Sequence, residues 1–257
     1  MTKNKMKQLL KTDSKKLQPG ISVDCVVIGF HEGTLKVLLN RFRGYNKWML
    51  PGGFVLHTEN VDDSAYRILS SRTSLKDIYL KQFHFFGDAN RTKLDENEEL
   101  LKLQGYTTPE EIEEHWLMQR FVSAGYYALV EYSKVKVSAS PEEEIEWFNI
   151  QNLPELYSDH QHIIDTAILS IRKQINYTPI GYELLPEKFT LTELRLIYET
   201  ILDKKLDRRN FQRKILSLGY ICKLDETQKR LGFKETSMYS FDKDKYMNAL
   251  DNNLTFQ

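Results

Sequence analysis

The chain has 257 residues, enough for two domains that each bury a core. Its 41% hydrophobic and 28% charged shares are those of an ordinary globular protein, and Lys+Arg balance Asp+Glu at 36 each, so overall charge names no partner. Nothing resembles a membrane-spanning run or the apolar core of a secretory leader, so a cytoplasmic protein is expected. Cys25 and Cys222 stand far apart in apolar runs and read as buried, reduced thiols.

Residues 1–19 form a basic arm. Ser22 to Phe30 and Leu35 to Arg41 are β-rich runs joined by His-Glu-Gly-Thr, a hairpin signal. The segment WMLPGGF (48–54) follows, with paired glycines for a tight turn. Asp62 or Asp63 is expected to cap a helix reaching Arg72, with Ala65, Ile68 and Leu69 on its buried face. Ile78 to Phe86 reads as a strand. Residues 92–117 are polar and acidic, and are expected to be an insertion holding one or two short helices. Strands follow at Gln119 to Tyr132 and Glu146 to Phe148, then a helix from Asp159 to Ile175. This is an α/β domain over 20–176, a mixed sheet flanked by helices.

Residues 177–186 read as a linker before a second domain, 187–257. There Thr190 caps a helix to Leu202, a short break leads to a helix from Asp207 to Leu218 ended by Gly219, and two short strands follow. Helix, turn, helix and hairpin in that order is a winged helix-turn-helix. Between Lys204 and Lys234 ten Lys/Arg face three acids, Asp207, Asp225 and Glu226. The expected DNA-binding set is Lys204, Lys205, Arg208, Arg209, Asn210, Arg213, Lys214, Lys229, Arg230 and Lys234. Arg and Asn pair with guanine and adenine edges, and the cations also neutralise phosphates. A solvated basic face is the plain alternative, but the cations crowd a helix N-terminus, where the helix dipole favours acids.

Residues 52–75, GGFVLHTENVDDSAYRILSSRTSL, carry the outline of a phosphohydrolase motif. The Nudix box, G-x(5)-E-x(7)-R-E-U-x-E-E-x-G-U with U aliphatic, finds Gly53, Glu59, Arg67, Leu69 and Leu75 in place. Its metal-binding glutamates are Ile68, Ser71 and Arg72, and its last glycine is Ser74. Hard divalent cations need clustered oxygen anions, so no metal, no cofactor and no catalytic residue is expected. The six histidines have no metal-ligand spacing.

With the eroded box and the basic C-terminal segment both present, the chain resembles the Nudix-related transcriptional regulators. The marks are WMLPGGF (48–54), FFGDANR (85–91), RFVSAGYYALV (120–130), IGYELLPEKFTLTELRLIYETIL (180–202) and DRRNFQRKILSLGY (207–220). The resemblance implies a Nudix-like effector domain joined to a winged helix, a homodimer on double-stranded operator DNA, and repression relieved by a small effector. In the family that effector is a sugar such as L-arabinose, or ADP-ribose and related nucleotides. Loss of the metal site, the usual pyrophosphate anchor, tilts the expectation toward a sugar. The expected effector-binding residues are Arg43, Trp48, Phe54, Phe86, Asp88 and Arg91, aromatic rings and charges near glycine turns and strand ends. The rival reading is an active Nudix hydrolase with an accessory C-terminal domain. A nucleotide- or RNA-binding module indifferent to DNA sequence is a third.

Overall fold

The computed structural model describes residues 20–73, 80–137, 139–175, 180–228 and 235–251. The basic arm, and Lys229, Arg230 and Lys234 of the expected DNA-binding set, lie outside the described residues.

Strands β1 (Gly20–His31) and β2 (Thr34–Phe42) form the expected hairpin, turning through Glu32 and Gly33 with both φ positive, at 49° and 76°. Two positive φ values match the right-handed twist of the flanking strands. The six-stranded mixed sheet runs β4 (Leu80–Phe86), β5 (Phe121–Val130), β1, β2, β6 (Glu143–Asn149), with β3 (Gly52–Phe54) also paired to β1. Strand β1 pairs parallel to β5 and antiparallel to β2 and β3. All ten residues of β5 are buried, as a central strand covered on both faces requires.

Helix α1 (Val61–Thr73) covers one face through Ala65, Ile68 and Leu69, which join Val23, Cys25, Val27 and Leu38 in one apolar cluster. It starts two or three residues earlier than the aspartates would set. The Ser64 amide donates to the Asn60 carbonyl, so Asn60 stands at the cap and Asp62 and Asp63 occupy the first turn. Helix α4 (His160–Gln174) covers the other face with Ile163, Ile164, Ala167 and Ile171. Between β4 and β5, residues 92–117 form α2 (Leu94–Leu103), α3 (Pro109–Glu113) and a 3₁₀ turn beginning at Trp116; Thr108 and Glu111 close a capping box on α3.

The C-terminal domain has α5 (Leu191–Leu202), α6 (Arg208–Ser217), the hairpin β7 (Ile221–Gln228) and β8 (Thr236–Phe241), and α7 (Lys243–Asp251), a helix absent from the sequence reading. A bridge from Phe189 to Tyr239 adds a third extended segment to the hairpin. Thr190 and Glu193 form a capping box on α5, Asp207 caps α6, and Gly219 (φ 78°) takes the left-handed position after it. Ile180, Leu184 and Leu185, read as linker, are buried in the cluster that holds the winged-helix core. Their apolar character outweighed the punctuation of Gly181 and Pro186. Cys25 is buried, but Cys222 is exposed, because β7 pairs only with β8 and leaves its outer side chains in solvent.

One apolar cluster runs from the sheet through Ile163, Ile164 and Ile171 of α4 to Ile197 and Ile201 of α5 and Phe211 of α6. The Arg172 Nε–H donates to the Ile201 carbonyl at 2.7 Å, tying the last turn of α4 to the end of α5.

Candidate effector site and nucleic-acid interface

Strands β1 and β2 stay paired from His31↔Thr34 to Ile28↔Val37 and then separate. The chain from Met49 to Phe54 enters the gap, bridging Asn40 on β2 at Met49 and pairing with Asp24 on β1 at Gly52. Gly52 is required here, since a Cβ would lie 2.6 Å from Asp24 Oδ1. A cavity of about 510 Å³ opens at this divergence. The sheet supplies Asp24, Asn40 and Phe54, α1 supplies Arg72, and the start of α4 supplies His160. The far wall comes from the insertion, through Asn97, Leu100, Tyr106, His115 and Trp116.

The insertion is fastened to the domain. Asn97, nearly fully buried, donates to the Leu117 carbonyl and accepts from the Tyr157 hydroxyl. Glu96 accepts from Lys47 Nζ at 2.9 Å and from the Ser158 amide at 2.6 Å. The segment that looked extraneous in sequence therefore builds one wall of the pocket. Its Trp116 ring packs edge-on against Phe54, 4.5 Å between centroids, and Phe54 lies 4.9 Å from Phe121. Phe54 and Trp116 remain substantially exposed, a ready surface for a planar ring.

Buried charge lines the floor. Arg91 forks onto Asp159, with Nε and Nη2 each 2.9 Å from a carboxylate oxygen, and its Nη2 lies 3.5 Å from Asp24 Oδ2. The Ser123 hydroxyl donates to the same Asp24 oxygen at 2.6 Å. His160 Nδ1 accepts from the Leu50 amide at 2.9 Å, which leaves the proton on Nε2, 3.6 Å from Asp24 Oδ1. Burial pushes the His160 pKa below its ordinary 6.5, and the Asp24 charge only partly opposes this. With the folded pKa depressed, the neutral ring contributes stability that is complete above 6.5 and is lost as pH falls below it toward the folded value. The thermal midpoint is expected to drop on acidification below 6.5 more steeply in the parent than in His160→Gln. Equal slopes in differential scanning calorimetry would remove His160 as the cause.

The box residues now have structural roles. Glu59 receives Arg67 through both oxygens, at 2.9 and 2.6 Å, and the Leu56 amide at 2.9 Å. These bonds hold its pKa down to about 2. Ile68 packs where a Cβ on Gly53 would stand 3.0 Å from its Cδ1. The Ser71 hydroxyl donates to the Ile68 carbonyl of its own helix. Arg72 pairs with the buried Glu143. A divalent cation does not fit this donor set, since the one retained glutamate is spent on a guanidinium and another guanidinium stands at a ligand position.

Of the six residues expected to bind the effector, the structure brings Phe54 and Arg91 to the cavity and leaves four outside it. Trp48 is core, edge-on to Phe148 at 4.6 Å, with the Arg41 guanidinium over its ring. Phe86 is core beneath Gly125. Asp88 caps the turn at Asn90, and Arg43 is exposed beside Glu144. Proximity to glycine turns placed these residues at the end of the sheet, but strand alternation turned the rings inward. Asp24, Asn40, Arg72, Trp116 and His160 were missed. The available signals were a lone Asp within SVDCVVIGF and a lone Asn closing LKVLLN.

In the second domain α6 exposes Arg208, Arg209, Asn210 and Arg213 while Phe211 and Ile215 are buried. The Asn210 side-chain oxygen accepts from Arg213 Nη2 at 3.1 Å. Lys204 and Lys205 are exposed in the turn before α6. Lys214 lies in the last turn of that helix, on a half-buried position. Arg195, Arg208 and Thr236 line a groove between α5, α6 and β8.

Fold and site thus define a Nudix-fold pocket with its metal ligands replaced, joined to a winged helix. Residues 181–241 match the NrtR DNA-binding winged helix domain. The chain is 27% identical over 230 residues to the ADPR responsive transcriptional repressor NtrR of Acinetobacter baylyi, covering 87% of this chain and 82% of that protein. Among solved structures it is similar to Shewanella oneidensis NrtR complexed with a 27mer DNA (TM-score 0.69, 21% identity, 88% of this chain and 95% of that one). It is also similar to a MutT/nudix family protein from Enterococcus faecalis (TM-score 0.63, 21% identity, 93% and 98%). The chain is similar to the Nudix-related transcriptional regulators over most of its length.

Proposed function

We propose that this protein is a cytoplasmic repressor that binds operator DNA as a homodimer and releases it when its Nudix-fold domain binds ADP-ribose or a closely similar nucleotide, which it does not hydrolyse. One observation carries the reading. A single cavity sets an aromatic surface, Phe54 and Trp116, beside polar groups and the Arg72 guanidinium, in the same chain as an NrtR-type DNA-binding domain. The named response of the Acinetobacter baylyi relative to ADPR supports the nucleotide over the sugar, for which the comparisons give no support.

The chemistry fits. A planar base stacks on Phe54 and Trp116, and ribose hydroxyls meet Asp24. Arg72 commits one nitrogen to Glu143, and its remaining N–H groups provide the fixed cation that a metal provides in a hydrolase. With no metal to polarise the diphosphate and Glu59 unavailable as a base, the ligand is held intact. Helix α4 then links pocket to DNA. Asp159 and His160 at its start belong to the floor cluster, and Arg172 in its last turn holds the end of α5. Over 15 residues it spans about 22 Å. A shift at its start moves the helix pair that presents α6, so the ligand-bound state misplaces the two recognition helices relative to their half-sites.

Isothermal calorimetry is expected to find ADP-ribose bound equally well in EDTA and in Mg²⁺, with the nucleotide recovered uncleaved. Arg72→Ala is expected to weaken binding roughly 10- to 100-fold, the effect of a charge-assisted hydrogen bond. Metal-dependent cleavage abolished by Glu59→Gln would instead establish the hydrolase reading.

A further inference from the structure

Asn40 is a buried polar residue of the cavity whose side-chain oxygen is unpaired among the described residues. It is 4% exposed, lies on β2 and lines the cavity. Its backbone is satisfied by Met49, through bonds of 2.9 and 2.7 Å. Its side-chain Oδ1 is buried with no hydrogen-bond partner among the described residues. Such an atom costs free energy until something donates to it. The residues around it explain why no described residue does so. Met49 and Leu50 on one side and Phe42 beyond it on β2 offer no side-chain donor. Asp24, the carboxylate of the same floor, is already met by Ser123, Arg91 and His160. The Asn40 oxygen is left to a donor from a ligand.

We propose that Asn40 is a specificity residue of the effector site, accepting a hydrogen bond from a hydroxyl or amino group of the nucleotide. The inference rests on the nucleotide reading above and deepens it. The cavity selects a ligand that carries donors into its floor, as a free ribose or an adenine amino group does, and rejects a ligand presenting only acceptors there. Because the oxygen is unsatisfied in the empty pocket, ligand binding removes a penalty present in the free protein. Affinity is thereby gained without a compensating loss elsewhere.

Asn40→Leu and Asn40→Asp separate a binding role from a structural one. Calorimetry with ADP-ribose is expected to show about tenfold weaker binding by Asn40→Leu, or about 1.4 kcal/mol. The thermal midpoint of the ligand-free variant should rise or hold, since an unpaired buried oxygen has been removed. Asn40→Asp keeps an acceptor and should retain more affinity than Asn40→Leu. Asn40→Leu binding as tightly as the parent, or a marked loss of its ligand-free stability, would overturn the assignment while leaving the nucleotide reading intact. A parent protein that binds no ADP-ribose would overturn the nucleotide reading, and this inference with it.

Discussion

Replacing Arg91 by alanine is expected to lower folding stability by about 3–5 kcal/mol, the cost of stranding buried carboxylates without their cation. Asp24 and Asp159 both face this guanidinium and are largely withdrawn from water. The sequence places Arg91 among the effector-binding residues. Its fork onto Asp159 makes it a structural anchor of the cavity floor and of the start of α4. Urea unfolding of the variant should show the lower midpoint at unchanged slope. Arg91→Lys should recover only part, since an ammonium lacks the planar fork. A loss below about 1 kcal/mol, the range of an exposed pair, would mean that the acids are satisfied without Arg91.

Arg209→Ala is expected to relax base preference by about 1–3 kcal/mol at particular positions of the operator, the value of one bidentate base contact. Arg209 is exposed in the first turn of α6, whose buried face is fixed by Phe211 and Ile215. Asn210 was the other expected reader. Its oxygen is held by Arg213, so it must exchange that bond before pairing with adenine, and its alanine variant should lose less. Lys204→Ala and Lys205→Ala should weaken all sequences alike and reduce the salt dependence by about one phosphate contact each. Gel shifts with selected and scrambled duplexes over a salt series distinguish these effects. Sequence preference lost with the lysines and kept without Arg209 would place the reading surface elsewhere.

The elements were legible where a local signal coincided with burial. The β-rich runs of β1 and β2, the Thr190 cap and Gly219 after α6 each fix backbone conformation within a few residues, and the structure agrees with them. The eroded box was legible too, because a carboxylate's absence is a local fact. The pocket was not. Its far wall comes from residues 92–117, and nothing local tells that Trp116 reaches Phe54 across more than sixty positions. Arg72 shows the same limit from the other side. In sequence it marked a lost metal ligand, and only its place at the cavity wall, with Glu143 behind it, makes it a candidate for binding. Buried Asn40 and Asp24 were single polar letters in apolar runs, and solvation cost gives such letters their meaning once the cavity is known.

The central claim is that one nucleotide controls one DNA interface through the body of α4. The most direct measurement titrates ADP-ribose, in EDTA, into the protein bound to a duplex that it has itself selected from a random-sequence pool. Operator affinity is expected to fall by about 5- to 150-fold at saturation, the usual range of coupling between two sites. Arg72→Ala should shift the titration to higher nucleotide concentration, leaving operator affinity without nucleotide unchanged. Calorimetric binding of ADP-ribose that leaves operator affinity the same at every concentration would contradict the account.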